Sequence, residues 1–112
     1  MVGEKADLVL AEMIDCYLED APKLISAIAQ AVAQGDATQL RHASHTLKSS
    51  SATLGAMTLS HLCKKLEVMS RAGNSEYAED HLPQLEAEYK RVRAALQLER
   101  QQKGLKVGKS ES

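Results

Sequence analysis

The sequence has no tryptophan and no phenylalanine, and only three tyrosines in 112 residues. Hydrophobic residues still make up 44% of the chain, so leucine and alanine have to build the interior. That composition suits helix-on-helix packing more than a β-sandwich. No segment approaches the roughly 20 apolar residues of a membrane span. Glu4, Lys5 and Asp7 stand where a signal peptide would need an apolar run. The formal net charge is -1, which supplies no basic face for nucleic acid. The expectation is one soluble, cytoplasmic domain without membrane contact and without a nucleic-acid partner. The two cysteines, Cys16 and Cys63, lie inside apolar helical patterns and lack C-x-x-C spacing. Both are expected to be buried, reduced thiols.

Enzyme signatures are also missing. The chain has no glycine-rich phosphate loop, no G-x-S-x-G and no H-E-x-x-H. Its carboxylates are scattered, and the length leaves no room for a nucleotide-binding kinase fold. Catalysis from a pocket is not expected.

What the chain does have is helical periodicity. Leu8, Val9, Met13, Ile14, Tyr17 and Leu18 predict a short amphipathic helix. Glu19-Asp20-Ala21-Pro22 reads as its end and a new start, because proline is tolerated in a first turn. A second helix carries Leu24, Ile25, Ile28, Ala29 and Val32, and Gly35 closes it. Asp36 opens the third helix with Gln39 three residues on, the spacing of a capping box. That helix should run from Ala37 to about Thr53, with Leu40, Ala43, Leu47, Ser50 or Ser51, and Leu54 towards the core. Gly55 ends it.

A fourth helix, from about Ala56 to Ala72, has its apolar stripe at Leu59, Leu62, Cys63, Leu66 and Met69. Lys64, Lys65 and Glu67 fall off that stripe. The last helix should begin near Glu76, be kinked or restarted by Pro83, and fade after about Gln101. Its seam is Leu82, Leu85, Tyr89, Val92 and Leu96. The expected fold is all-α: an antiparallel up-down-up-down four-helix bundle with an additional short N-terminal helix. Residues 1–6 would be an N-terminal extension, 7–101 the bundle, and 102–112 a disordered tail.

One stretch stands out for chemistry. His45 and Lys48 are three residues apart on the side of the third helix away from its leucines, with Arg41 one turn earlier. Ser49, Ser50, Ser51 and Ala52 leave little bulk around the imidazole. A neutral imidazole is a nucleophile. Neighbouring cations would hold its pKa down and then stabilise a phosphoryl group attached to it. His42 and His45 are at i, i+3, but a zinc site needs further ligands and Arg41 and Lys48 oppose a cation, so no metal is expected. His61 and His81 read as surface residues.

The run Arg41-His42-Ala43-Ser44-His45-Thr46-Leu47-Lys48-Ser49-Ser50-Ser51-Ala52-Thr53-Leu54-Gly55-Ala56 resembles the signature of histidine-containing phosphotransfer (HPt) domains of bacterial multistep phosphorelays. Tyr17-Leu18-Glu19-Asp20-Ala21-Pro22, Gln34-Gly35-Asp36 and Arg71-Ala72-Gly73-Asn74 are similar to that family's inter-helix punctuation, so the likeness covers roughly residues 7 to 98. The resemblance implies a phosphocarrier in two-component signalling. His45 would accept a phosphoryl group from a receiver-domain aspartate, through its outer nitrogen Nε2, and pass it to another receiver. Lys48 would stabilise the phosphate. Arg41, His42, Ser49 and Ala52 would form the docking face, and Gly55 the turn that ends it. No cofactor of its own is implied; Mg²⁺ would belong to the partner receiver. Expected partners are response-regulator receiver domains and a hybrid sensor histidine kinase, with this chain a monomer lacking ATP-dependent kinase activity. The residue after Lys48 is often glycine in this family and here is Ser49. Two alternatives stand beside this reading: a phosphate-independent helical interaction module, and the histidine-bearing domain of a chemotaxis-type kinase.

Overall fold

The structure, a computed structural model, describes residues 2–73 and 78–111, with side chains over 6–73 and 78–102. Among the described residues, four α-helices follow one another: α1, Val2–Gln34; α2, Ala37–Thr53; α3, Met57–Arg71; and α4, Leu82–Glu111. A 3₁₀ turn, Glu79–His81, leads into α4. There is no strand among the described residues. Each helix packs on its neighbours around a ring, α1 on α2, α2 on α3, α3 on α4 and α4 on α1. The centre is filled by Ile14, Ile28, Leu40, Leu47, Leu59, Leu66 and Leu85, all fully buried. The all-α bundle expected from the periodicity is therefore the architecture found.

Turns are closed as the residues demand. Gly35 has φ +67°, and the bonds Gly35 N–H to Val32 O (3.2 Å) and Asp36 N–H to Ala31 O (2.9 Å) cap α1. Asp36 Oδ1 then accepts from the Gln39 backbone N–H at 3.0 Å and caps α2. Pro83 stands in the first turn of α4, where its missing N–H has no helical partner to lose.

Pro22 does not divide α1. The buried residues Ala11, Ile14, Tyr17, Ala21, Ile25, Ile28 and Ala31 keep one helical phase straight through it. A break would scatter that stripe. Pro22 itself is exposed, so the Leu18 carbonyl deprived of its donor can turn to water. The separate N-terminal helix is instead the first half of one 33-residue helix, and Tyr17–Pro22 is not inter-helix punctuation.

Three smaller expectations also change. Leu8, Val9 and Met13 are exposed, because the core-facing stripe of this half is Ala11, Ile14 and Tyr17. Cys16 is exposed on the same account, whereas Cys63 is buried; burial pushes the Cys63 thiol up to about 12. Helix α4 does not fade at Gln101 but stays helical to Glu111. Glu99-Arg100-Gln101-Gln102-Lys103 are good helix formers, and extending a helix costs far less than starting one. The expected start of the last helix near Glu76 lies outside the described residues.

Candidate functional site

Helix α2 is fixed along its length before it presents anything to solvent. Leu40, Ala43, Ser44, Leu47 and Ser51 are buried. Ser51 Oγ and the Tyr17 hydroxyl share a buried hydrogen bond of 2.9 Å, which ties α2 to α1. Ser60 Oγ on α3 donates to the Lys48 carbonyl at 3.0 Å. The end of α2 is a two-bond cap, Gly55 N–H to Ala52 O (3.0 Å) and Ala56 N–H to Ser51 O (2.8 Å), with Gly55 at φ +80°. Thr46, Ser50 and Thr53 turn their hydroxyls back onto the carbonyls of His42, Thr46 and Ser49. His45 is thus carried on a helix whose axis, ends and neighbours are all set.

The His45 side chain is 60% exposed. Its inner nitrogen, Nδ1, is 2.7 Å from Glu67 Oε2 on α3. The other oxygen of the same carboxylate, Oε1, accepts from Lys48 Nζ at 2.8 Å. Arg71 Nη2 stands 3.8 Å from Oε2, one turn further along α3. Glu67 itself is only 6% exposed. The hydrogen bond from Lys48 holds its carboxyl below the ordinary carboxylate range, and the bond to His45 adds to this against the opposing effect of burial. An ionised carboxylate can only accept, so Nδ1 carries the proton of the neutral imidazole. The lone pair is then left on Nε2, the nitrogen on the side away from Glu67.

Glu67 was not singled out by the sequence reading, which placed it with Lys64 and Lys65 off the apolar stripe of its helix. The signal was present. Beside the stripe Leu59, Leu62, Leu66 and Met69 runs a second with the same 3-4-3 steps, Ser60, Cys63, Glu67 and Ser70, and all four of these are buried. Small and polar residues let α3 approach α2 while one carboxylate is enclosed between them. Ser70 Oγ donates to the Glu67 carbonyl at 2.6 Å and braces the backbone there. Lys48 is half-buried and committed to Glu67, so it is not the freely solvated lysine that the helical spacing suggested.

The remaining expected residues fall where the helix puts them. Arg41 and His42 are exposed and, with Thr38, His45, Glu67 and Arg71, line a shallow depression of about 310 Å³ between α2 and α3. Ser49 and Ala52 are exposed one and two turns beyond His45. His61, on α3, is exposed and His81, in the 3₁₀ turn, is half-buried; neither lines the depression around His45. No group of three or more His, Cys, Asp or Glu placed to hold a metal ion is found among the described residues.

Taken together, these observations define a helical bundle that displays one tautomer-fixed imidazole on an exposed helix face. Comparison with known proteins identifies the kind of bundle. The Hpt domain family model matches residues 12–95. Histidine-containing phosphotransfer protein 2 of Arabidopsis thaliana is 33% identical over 91 residues, which are 79% of this chain and 58% of that protein. The crystal structure of histidine-containing phosphotransfer protein B (HptB) from Pseudomonas aeruginosa PAO1 superposes with a TM-score of 0.79 at 33% identity, covering 82% of this chain and 80% of that one. The chain belongs to the Hpt domain family. It spans little more than half the length of the curated plant relative.

Proposed function

We propose that this domain is a phosphorelay carrier in which His45 receives a phosphoryl group from the phosphoaspartate of a receiver domain and hands it to another. The observation that carries the reading is the 2.7 Å bond between His45 Nδ1 and the ionised Glu67. It leaves the Nε2 lone pair on an exposed edge of the ring.

In the transfer, the Nε2 lone pair attacks phosphorus in line, and the phosphorus–oxygen bond to the aspartyl carboxylate breaks. The electron pair of that bond leaves with the aspartate. A phosphorus–nitrogen bond forms, and the ring, still protonated on Nδ1, gains positive character. Glu67 is the group placed to stabilise that charge. Lys48 stabilises the phosphoryl oxygens and orients Glu67 at the same time. Arg41, His42, Ser49 and Ala52 form the surface over which the receiver docks. Return transfer runs the same steps backwards.

The domain supplies a nucleophile and its surroundings; Mg²⁺ belongs to the receiver and no cofactor to this chain. It acts without ATP-dependent kinase activity of its own. Its partners are response-regulator receiver domains and a hybrid sensor histidine kinase, met in the cytoplasm by a monomer. A phosphate-independent module would have no use for the fixed tautomer. The test is His45→Gln incubated with a labelled phospho-receiver that labels the wild type. Loss of acid-labile label with unchanged helicity is expected. Label persisting on that variant would overturn the assignment.

A further inference from the structure

Across the bundle from α2 and α3, the seam between α1 and α4 is not filled. Pro22, Ser26 and Ala29 stand at i, i+4 and i+7 of α1 and offer only short side chains to α4. With Ile25 they form one wall of an open groove of about 370 Å³. Glu86, Tyr89, Lys90 and Arg93 of α4 form the other. Asp15 meets Arg100 further along the same two helices. Earlier residues of α1 thus face later ones of α4, so the helices are antiparallel. Arg93 lies towards the Pro22 end of the groove and Glu86 towards the Ala29 end.

The groove contains an unmet polar group. Tyr89 is only 6% exposed, and its buried hydroxyl has no hydrogen-bond partner. Such a group is costly to leave unbonded. Tyr17, whose ring is 6.3 Å away, has its own hydroxyl bonded to Ser51. Burial pushes the Tyr89 phenol up, and the charge of Arg93 opposes that shift. The hydroxyl therefore lies at the end of the ring within reach of a cation that lines the groove. Lys90 and Arg93 have no ion-pair partner among the described residues. Nor has Glu86, although it stands at i, i+4 to Lys90. A hydroxyl, an ammonium and a guanidinium are thus uncommitted beside an apolar wall. A carboxylate accepts from all three. Glu86 is about 10 Å along the helix from Arg93 and opposes a second negative charge there.

We propose that the α1–α4 groove binds a small monocarboxylate with an apolar tail. Tyr89, Lys90 and Arg93 hold the carboxylate, and the tail lies over Ile25 and Ala29 towards Glu86. The apolar wall supplies contact area, and the Tyr89 hydroxyl fixes the orientation. Glu86 discriminates against a dicarboxylate of the same length. The site is separate from His45, which α2 carries on another side of the bundle. Its occupancy stabilises the fold by mass action and leaves the imidazole untouched.

The experiment titrates the full chain with octanoate, with octanol as the uncharged probe and suberate as the dicarboxylate, and follows backbone amide signals by NMR. Octanoate should move the signals of residues 22–29 and 86–93 saturably and raise the melting temperature. Octanol should bind more weakly. Tyr89→Phe should weaken octanoate about tenfold, the loss of one hydrogen bond to a charged group. Its own melting temperature should equal or exceed that of wild type, because the hydroxyl it removes is unbonded in the fold. Arg93→Gln, at an exposed side chain, tests the same end of the groove without touching the core, and should weaken octanoate by a smaller, salt-sensitive factor. Suberate should bind wild type about fivefold more weakly than octanoate and recover in Glu86→Gln. Octanoate that binds no better than octanol, or equally well to wild type, Tyr89→Phe and Arg93→Gln, overturns the proposal. So do signals that move only around Val9, Met13 and Leu54, which would place the probe between α1 and α2.

Discussion

The α1–α4 side of the bundle and the α2–α3 side are built from different materials. Between α1 and α4 the buried residues are aliphatic and aromatic, including Ile14, Ile25, Leu85 and Leu96, with the Tyr17 and Tyr89 rings 6.3 Å apart. Every buried polar or charged residue among those described, Ser44, Ser51, Ser60, Glu67 and Ser70, lies instead on α2 or α3. Apolar packing stabilises without specifying a charge pattern. A buried carboxylate costs free energy unless hydrogen bonds compensate it, and Glu67 has them from His45 and Lys48. Both sides contribute leucines to the core, and only the α2–α3 side also accepts a local cost to fix the state of one imidazole.

The comparison breaks most visibly at Leu85, which is fully buried on α4. Leu85→Ala should destabilise the domain by about 2–5 kcal/mol, measured by denaturant unfolding. The folded fraction should still accept phosphoryl groups at the wild-type rate. Glu67→Ala should do the reverse. It frees the imidazole tautomer and leaves Lys48 without its carboxylate, so transfer from a phospho-receiver should slow about tenfold, the loss of one charged hydrogen bond. Glu67→Gln should retain more of the rate, because its amide oxygen can still accept from Nδ1. If the alanine variant transfers as fast as wild type, the two sides do not divide their labour as described.

Acid sharpens the same contrast. Glu67 is held below its ordinary value of 4.5, first by the Lys48 hydrogen bond and then by His45. The unfolded chain therefore binds that proton more readily than the folded one. The stabilisation is fully present above about pH 4.5 and is lost as pH falls through the lower folded-state value. The melting temperature of wild type should drop more steeply below pH 4.5 than that of Glu67→Gln. The smallest effect belongs to Arg100→Ala. Its bond to Asp15 joins α4 to α1 between partly exposed side chains, and its loss should change stability by no more than about 0.5 kcal/mol.

Sequence periodicity was enough to place α2 to its end residues, because a capping aspartate, a leucine stripe and a terminal glycine all agree there. His45 was legible for a similar reason, as a basic residue off an apolar stripe with small neighbours. Pro22 misled because a local rule was weighed above the long-range phase of the α1 stripe. Glu67 was missed because partners 19 and 22 residues away determine its burial. A charged residue beside an apolar stripe looks solvated until the facing helix is known. The serines that share its stripe were the readable part of that pairing.

Gly55 gives the site a requirement of another kind. A Cβ built there meets nothing within 4 Å, so no neighbour demands the missing side chain. The demand comes from φ +80° alone. An L-residue would carry a penalty on the order of 1 kcal/mol at the very turn that ends the His45 helix. A D-alanine at the same position would sit in its own preferred region and narrow the unfolded ensemble as well. The terminus of the helix bearing the nucleophile is therefore selected by chirality, not by space.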